Sequence, residues 1–129
     1  MTKRSFTPAE ANRTLPLVKR IVGDLLAGGR ELRALAPRRA QPECASRMRA
    51  LELEIRELAE ELERIGCSYK DWGFEAGLVD FPAELEGVPV LLCWKSDEQR
   101  VAHYHTYESG FAGRLPIPAE LLEPESGGA

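Results

Sequence analysis

The chain has little of what would mark a specialised setting. Cysteine is scarce: Cys44, Cys67 and Cys93 are the only three in 129 residues, an odd number, widely spaced and without a Cys-x-x-Cys pair. That argues against a disulfide framework or a structural zinc knuckle and for reduced thiols in a cytoplasm. No apolar run approaches the ~20 residues that a membrane span needs. No apolar h-region follows the opening Met1-Thr-Lys-Arg-Ser-Phe6, so the chain is expected to stay in the cytoplasm. Charge of one sign is also missing. The formal net charge is only −4, which gives nucleic-acid binding no overall electrostatic support. The one local basic stretch, Arg30, Arg33, Arg38, Arg39, Arg47 and Arg49, reads as a solvated helix tip. There is no Walker motif, Rossmann fingerprint, nucleophile elbow or His-Glu-x-x-His helix.

What is present is an ordinary globular composition, 43% hydrophobic and 29% charged, long enough for one domain with a real core. Thr7-Pro8-Ala9-Glu10 spells a capping box with proline at the first helical position. Phe6 stands where a hydrophobic staple would, although Ala11 offers it little to pack against. Leu15, Val18, Val22, Leu25, Leu32 and Leu35 then recur at helical spacing and predict a helix over 8–35. Pro16 inside it predicts a kink near Asn12–Pro16. Pro37-Arg-Arg-Ala-Gln-Pro42 breaks this helix and opens a second, 42–65, on the a/d seam Met48, Leu51, Ile55, Leu58, Leu62 and Ile65. Gly66 suits a left-handed C-cap. The short connection makes the two helices antiparallel neighbours.

After Gly66 the periodicity shifts toward two. Strands are predicted at Gly77–Phe81, Val88–Trp94 and Arg100–Thr106, with turns at Pro82–Gly87 and Lys95–Gln99. Pro89 fits only a strand start or an edge. The expected fold is α+β: a long antiparallel helical hairpin (6–66), then a three-stranded antiparallel β-meander (67–118), then a disordered tail (119–129).

His103 and His105 are the only histidines. At i and i+2 on a strand, both imidazoles point to one face, an arrangement that can offer two nitrogens to a metal. Further ligands would come from Cys93, Asp80, Asp71, Glu98 and Glu108. Whether Cys93 joins the histidines depends on hairpin register. A three-residue loop with Asp97 left-handed pairs Trp94 with Glu98 and puts Cys93 on the histidine face. A two-residue Asp97-Glu98 loop pairs Trp94 with Val101 and turns Cys93 away. The three-residue loop is the expected one. The plain alternative is that the histidines are hydrogen-bonded structural groups and Cys93 a small buried hydrophobe. Asp80, set between Val79 and Phe81, needs a partner if buried, with Lys70, Arg100 or Arg114 as candidates. Gly110-Phe-Ala-Gly113-Arg114 has the glycines and the arginine to hold an anion but lacks the strand-to-helix context of a phosphate loop.

Phe6-Thr-x-x-Glu10-Ala-Asn12-x-x-Leu15-Pro16, Lys70-Asp71, Gly77-Leu-Val-Asp-Phe-Pro82, Leu92-Cys-Trp94, Glu98, His105 and Gly110-Phe-Ala-x-Arg114 together resemble an uncharacterised bacterial family. It is known as the domain of unknown function 2203. The likeness runs from about Phe6 to Pro118. It departs at Asp97, where glycine is usual, and at Tyr104, where tryptophan often precedes the histidine. The resemblance implies a small prokaryotic cytoplasmic protein and carries no established activity. It supports His105 rather than His103, and leaves Asp71, Asp80, Cys93, Glu98, His105 and Arg114 as candidates.

Three functional expectations follow. The first is a structural or interaction module, a homodimer joined through helices 8–35 and 42–65. The second is a metal-binding protein or metal-dependent enzyme that binds zinc or iron through His105, His103, Cys93, Asp80 and Glu98. The third is a small-ligand or anion site near Arg114 and the two tryptophans, Trp72 and Trp94, with Lys70 and Asp71 as further anion or salt-bridge groups.

Overall fold

A computed structural model describes residues 5–122. Helix α1 spans Pro8–Leu35 and helix α2 Pro42–Ile65, joined by a single 3-10 turn at Ala36–Arg38. The capping box closes in both directions. The Thr7 amide donates to Glu10 Oε1 at 3.0 Å and the Glu10 amide to Thr7 Oγ1 at 3.1 Å. Helix α1 runs through Pro16 without interruption. Gly66 ends α2 in the left-handed region at φ 116°. The two helices pack antiparallel: Gly28 meets Leu51 and Ile55, and Glu31 pairs with Arg47 at 2.9 Å. Seam residues Leu51, Ile55 and Leu62 are buried within the chain itself. No helix among the described residues is long and apolar enough to cross a membrane.

Among the described residues the sheet has five strands, not three. They are β1 (Ser68–Tyr69), β2 (Leu78–Leu85), β3 (Val88–Lys95), β4 (His103–His105) and β5 (Leu115–Pro116). All pair antiparallel in chain order, a meander. The extra strands are two residues each, too short to show any alternation in the sequence. Strand β4 is shorter than the predicted Arg100–Thr106, because Val101 is held by a helix instead of a strand. Within the expected disordered tail, Ala119–Leu122 instead form a helical turn, α3; residues 123–129 lie outside the described ones.

The predicted Pro82–Gly87 turn is narrower, with Pro82 inside β2. The turn is Glu86-Gly87 alone, at φ 53° and 83°, the two-residue connection whose twist suits a hairpin. Proline is tolerated in β2 because Pro82 faces away from the β3 ladder. Its carbonyl accepts the Phe6 amide at 2.7 Å on the other side, and a residue's N–H and C=O share a side of the strand. Phe6 is therefore no staple within α1. It is 1% exposed and packs edge-on against Phe81, ring centroids 5.2 Å apart.

Alternation divides the sheet. Val79, Phe81, Leu92 and Trp94 face the helices and join Leu15, Val18, Val22 and Leu25 in the core. Asp80, Cys93, His103 and His105 take the opposite face by register: Asp80 opposes Cys93, and Cys93 opposes His103.

The loop from Lys70 to Gly77 is locked onto α1. Asp71 accepts the amides of Gly73, Glu75 and Ala76 at 3.0, 3.1 and 2.7 Å. Phe74 sits at φ 60°, and its ring fills the notch left by Gly29. Arg30 donates to the carbonyls of Phe74 and Glu75 (3.3 Å each) and Arg33 to that of Gly73 (2.6 Å). These two arginines of the basic stretch thus tie down a loop.

Two stability predictions follow. A methyl at Gly29 would lie 2.2 Å from the Phe74 ring, whereas one at the exposed Gly23 meets nothing within 4 Å. Both positions are interior to α1, so helix propensity favours alanine at each by roughly 0.5–1 kcal/mol. Gly23→Ala is expected to stabilise by about that amount and Gly29→Ala to destabilise by about 1–3 kcal/mol, as urea unfolding would show. Asp71 is the second case. The Ala76 amide foremost, with those of Gly73 and Glu75 and the charge of Arg33, holds its carboxyl below the usual aspartate range despite partial burial. A folded-state pKa below the unfolded one adds stability above about pH 4 that is lost as pH falls through the depressed value. Asp71→Asn should cost roughly 1 kcal/mol at neutral pH and nothing once the carboxyl is protonated, measured as unfolding midpoints across an acid titration.

Candidate metal centre

Strands β2 and β4 lie about 10 Å apart across β3. An imidazole from one and a carboxylate from the other can meet only above a small side chain on the strand between. Cys93 is that side chain. His105 is diagonal to it in the ladder, opposite Leu91, and reaches over it to Asp80, with Nε2 3.3 Å from Oδ1. One ligand atom each from Asp80, Cys93 and His105 lies within 4.8 Å of the other two. The three residues are 5%, 1% and 4% exposed.

The other ring nitrogen settles the tautomer. His105 Nδ1 is 2.8 Å from the Thr106 carbonyl oxygen, which can only accept, so Nδ1 carries the proton. In the neutral ring the Nε2 lone pair then faces the Asp80 oxygen. Burial pushes the Asp80 carboxyl up, against the opposing pull of His105, Lys70 and the Cys93 thiol. Burial, and then the charge of Asp80, pushes the Cys93 thiol up to about 12. A Cys–His–Asp nucleophile is therefore not assembled. One imidazole nitrogen is bound to backbone and the other faces the carboxylate, leaving none to take the thiol's proton.

The remaining candidates form a second cluster or lie elsewhere. His103, directly opposite Cys93, turns to Glu98 instead, with Nδ1 3.8 Å from Oε2 and no hydrogen bond of its own. Glu98 is a hub: it accepts from Arg114 at 2.6 and 3.0 Å and from the Lys95 amide at 2.9 Å. Burial alone would raise its carboxyl, but the Arg114 bond and the Lys95 amide outweigh this and hold it below the usual range. The same guanidinium donates to the Cys93 carbonyl at 3.0 Å and lies 4.7 Å from the Phe111 ring centroid. Its side chain is thus engaged in fastening the segment after β4 to β3, the structural salt bridge among the expected roles. Arg114 and Arg100 do not partner Asp80. Lys70 is exposed and reaches it only as a distant charge. Asp71 organises its own loop, and Glu108 is exposed.

Two sequence expectations need correction. Among the described residues only Phe74 and Glu86 are non-glycines with positive φ, so Asp97 is not left-handed. Trp94 pairs with neither Glu98 nor Val101; the ladder starts at Cys93–His103 after a longer connection. Cys93 still shares the histidine face, because odd opposes odd. The tryptophans do not frame Arg114 together. Trp72 packs edge-on against Tyr69 and Phe74, while Trp94 is buried and donates to the Glu98 carbonyl at 2.9 Å. Two features had escaped the sequence. The Thr106 carbonyl, which locks His105, leaves no trace in residue type. Asn12 grips Val101, accepting its amide at 2.7 Å and donating to its carbonyl at 3.0 Å.

No curated protein and no solved structure matches the chain. One family model does, described as an uncharacterized conserved protein (DUF2203) and covering residues 4–117, which takes in both helices and every side chain of the Asp80–Cys93–His105 cluster. The chain belongs to the DUF2203 family.

Proposed function

We propose that this protein binds a divalent metal ion through Asp80, Cys93 and His105, and that the ion clasps β2, β3 and β4 together on the face away from the helices. The observation that carries this reading is the contact between His105 Nε2 and Asp80 Oδ1. Two lone pairs facing each other need a positive charge between them, a proton or a metal. A proton would make the contact a long hydrogen bond, and a metal ion fits the same 3.3 Å separation. That is the edge of a tetrahedron whose corners stand about 2.0–2.1 Å from its centre, the usual Zn–N and Zn–O lengths. The Nδ1–H bond to a backbone carbonyl is how metal-binding histidines are commonly oriented.

One imidazole, one thiol and one carboxylate form a borderline donor set, which suits zinc ahead of iron. A metal would also ease the cost of burying the thiol and carboxylate in their ionised forms. Burial of all three ligands favours a structural ion over a catalytic one, since catalysis needs an open coordination position reached by substrate.

Protein purified without added metal should carry about one zinc per chain by elemental analysis, and chelation should lower its melting temperature by at least about 5 °C. Cobalt(II) in its place should show a thiolate-to-cobalt band that Cys93→Ser abolishes. His105→Ala and Asp80→Asn should each weaken binding by at least about 100-fold, beyond the effect of losing an outer-shell partner. His103→Ala, altering the ring that faces Glu98, should leave stoichiometry unchanged. A metal-free protein whose melting is indifferent to chelator would sink the proposal.

A further inference from the structure

The molecule is net negative, yet among the described residues the charged side chains lining one groove are all cations. It holds about 460 Å³ between the N-terminal half of α1 and the β3–β4 connection, within the range of small-molecule sites. Arg13, Lys19 and Arg100 stand at it, over an apolar floor that includes Leu15, Pro16 and Leu122, and among the described residues no acidic one lines it. Its architecture is unrelated to the Asp80–Cys93–His105 cluster, whose residues take no part in it.

Two further observations make this more than a charged surface. Among the described residues neither Arg13 nor Arg100 makes an ion pair or a side-chain hydrogen bond. The backbone that presents Arg100 is also fixed on both sides. Lys19 Nζ donates to the Gln99 carbonyl at 3.0 Å, and Asn12 holds both polar groups of Val101. A free guanidinium on an anchored backbone loses little freedom on meeting a ligand.

We infer that this groove binds a small phosphorylated molecule with an apolar body. A phosphate monoester carries roughly −1.5 to −2 charges at neutral pH, a better balance for three cations than one carboxylate, and guanidinium forks match its oxygens. The apolar floor takes the rest of the ligand.

Phenyl phosphate is the probe, followed on the full chain by calorimetry and by the amide resonances of Gln99–Val101. Saturable binding with Kd below about 1 mM is expected, with inorganic phosphate and benzoate each about tenfold weaker or more. Arg13→Ala and Arg100→Ala should each weaken it about tenfold with melting temperature unchanged, since both side chains are exposed and unbonded. Absence of saturation, or equal affinity in both variants, overturns the inference. Co-sedimentation with phosphatidylglycerol vesicles that Arg100→Ala abolishes would also overturn it, by assigning the groove to a membrane surface.

Discussion

A strand that shows one set of side chains to the helices must show the other set to the opposite face, and the rest of this structure depends on that constraint. Val79, Phe81, Leu92 and Trp94 are fully or almost fully buried beneath α1 and α2. With those positions committed to the core, Asp80 and Cys93 have no freedom to choose another side. A slip of one residue in either pairing would place a carboxylate and a thiol against Leu25 and Val22 and leave tryptophan exposed. The hydrophobic core therefore protects the polar cluster, although it shares no face with it.

Holding the polar face together calls for different chemistry. Burial of a carboxylate costs several kcal/mol unless it is compensated, and Asp80 is nearly as buried as the core. Its neighbours are the groups that compensate best: an imidazole locked by backbone and a thiol too small to keep the imidazole away. Beside it, Glu98 and Arg114 form a bidentate pair that ties the returning segment to β3 through the Cys93 carbonyl. The cluster is thus closed from one side by strand pairing and from the other by an ion pair.

Helix α1 governs both ends of the sheet. Near its start Asn12 and Lys19 grip the connection before β4, which sets where the ladder carrying His103 and His105 begins. Near its end Gly29, Arg30 and Arg33 receive the loop before β2. Asn12 does for Val101 what a neighbouring strand would do, satisfying a buried amide and carbonyl. This explains why β4 is shorter than its alternating sequence suggests.

Local signals were enough to read the helices. The Thr7–Glu10 cap, the two prolines at helix starts, the seam from Met48 to Ile65 and the Gly66 stop act over a few residues, so their meaning survives in the sequence. Strand β3 was legible almost whole for the same reason and β2 only up to Phe81, and so was the common face of His103 and His105, which needs only a period of two. Tertiary structure decided everything that joins distant segments. It added the two short edge strands, assigned Phe6 to the sheet and gave Arg114 to Glu98 instead of Asp80. It also brought His105, which the family resemblance had favoured, across Cys93 to Asp80, and turned His103 to Glu98. Register across a loop of uncertain length, and the direction in which a ring turns, are set by contacts between residues tens of positions apart. Such contacts leave no periodic trace along the chain.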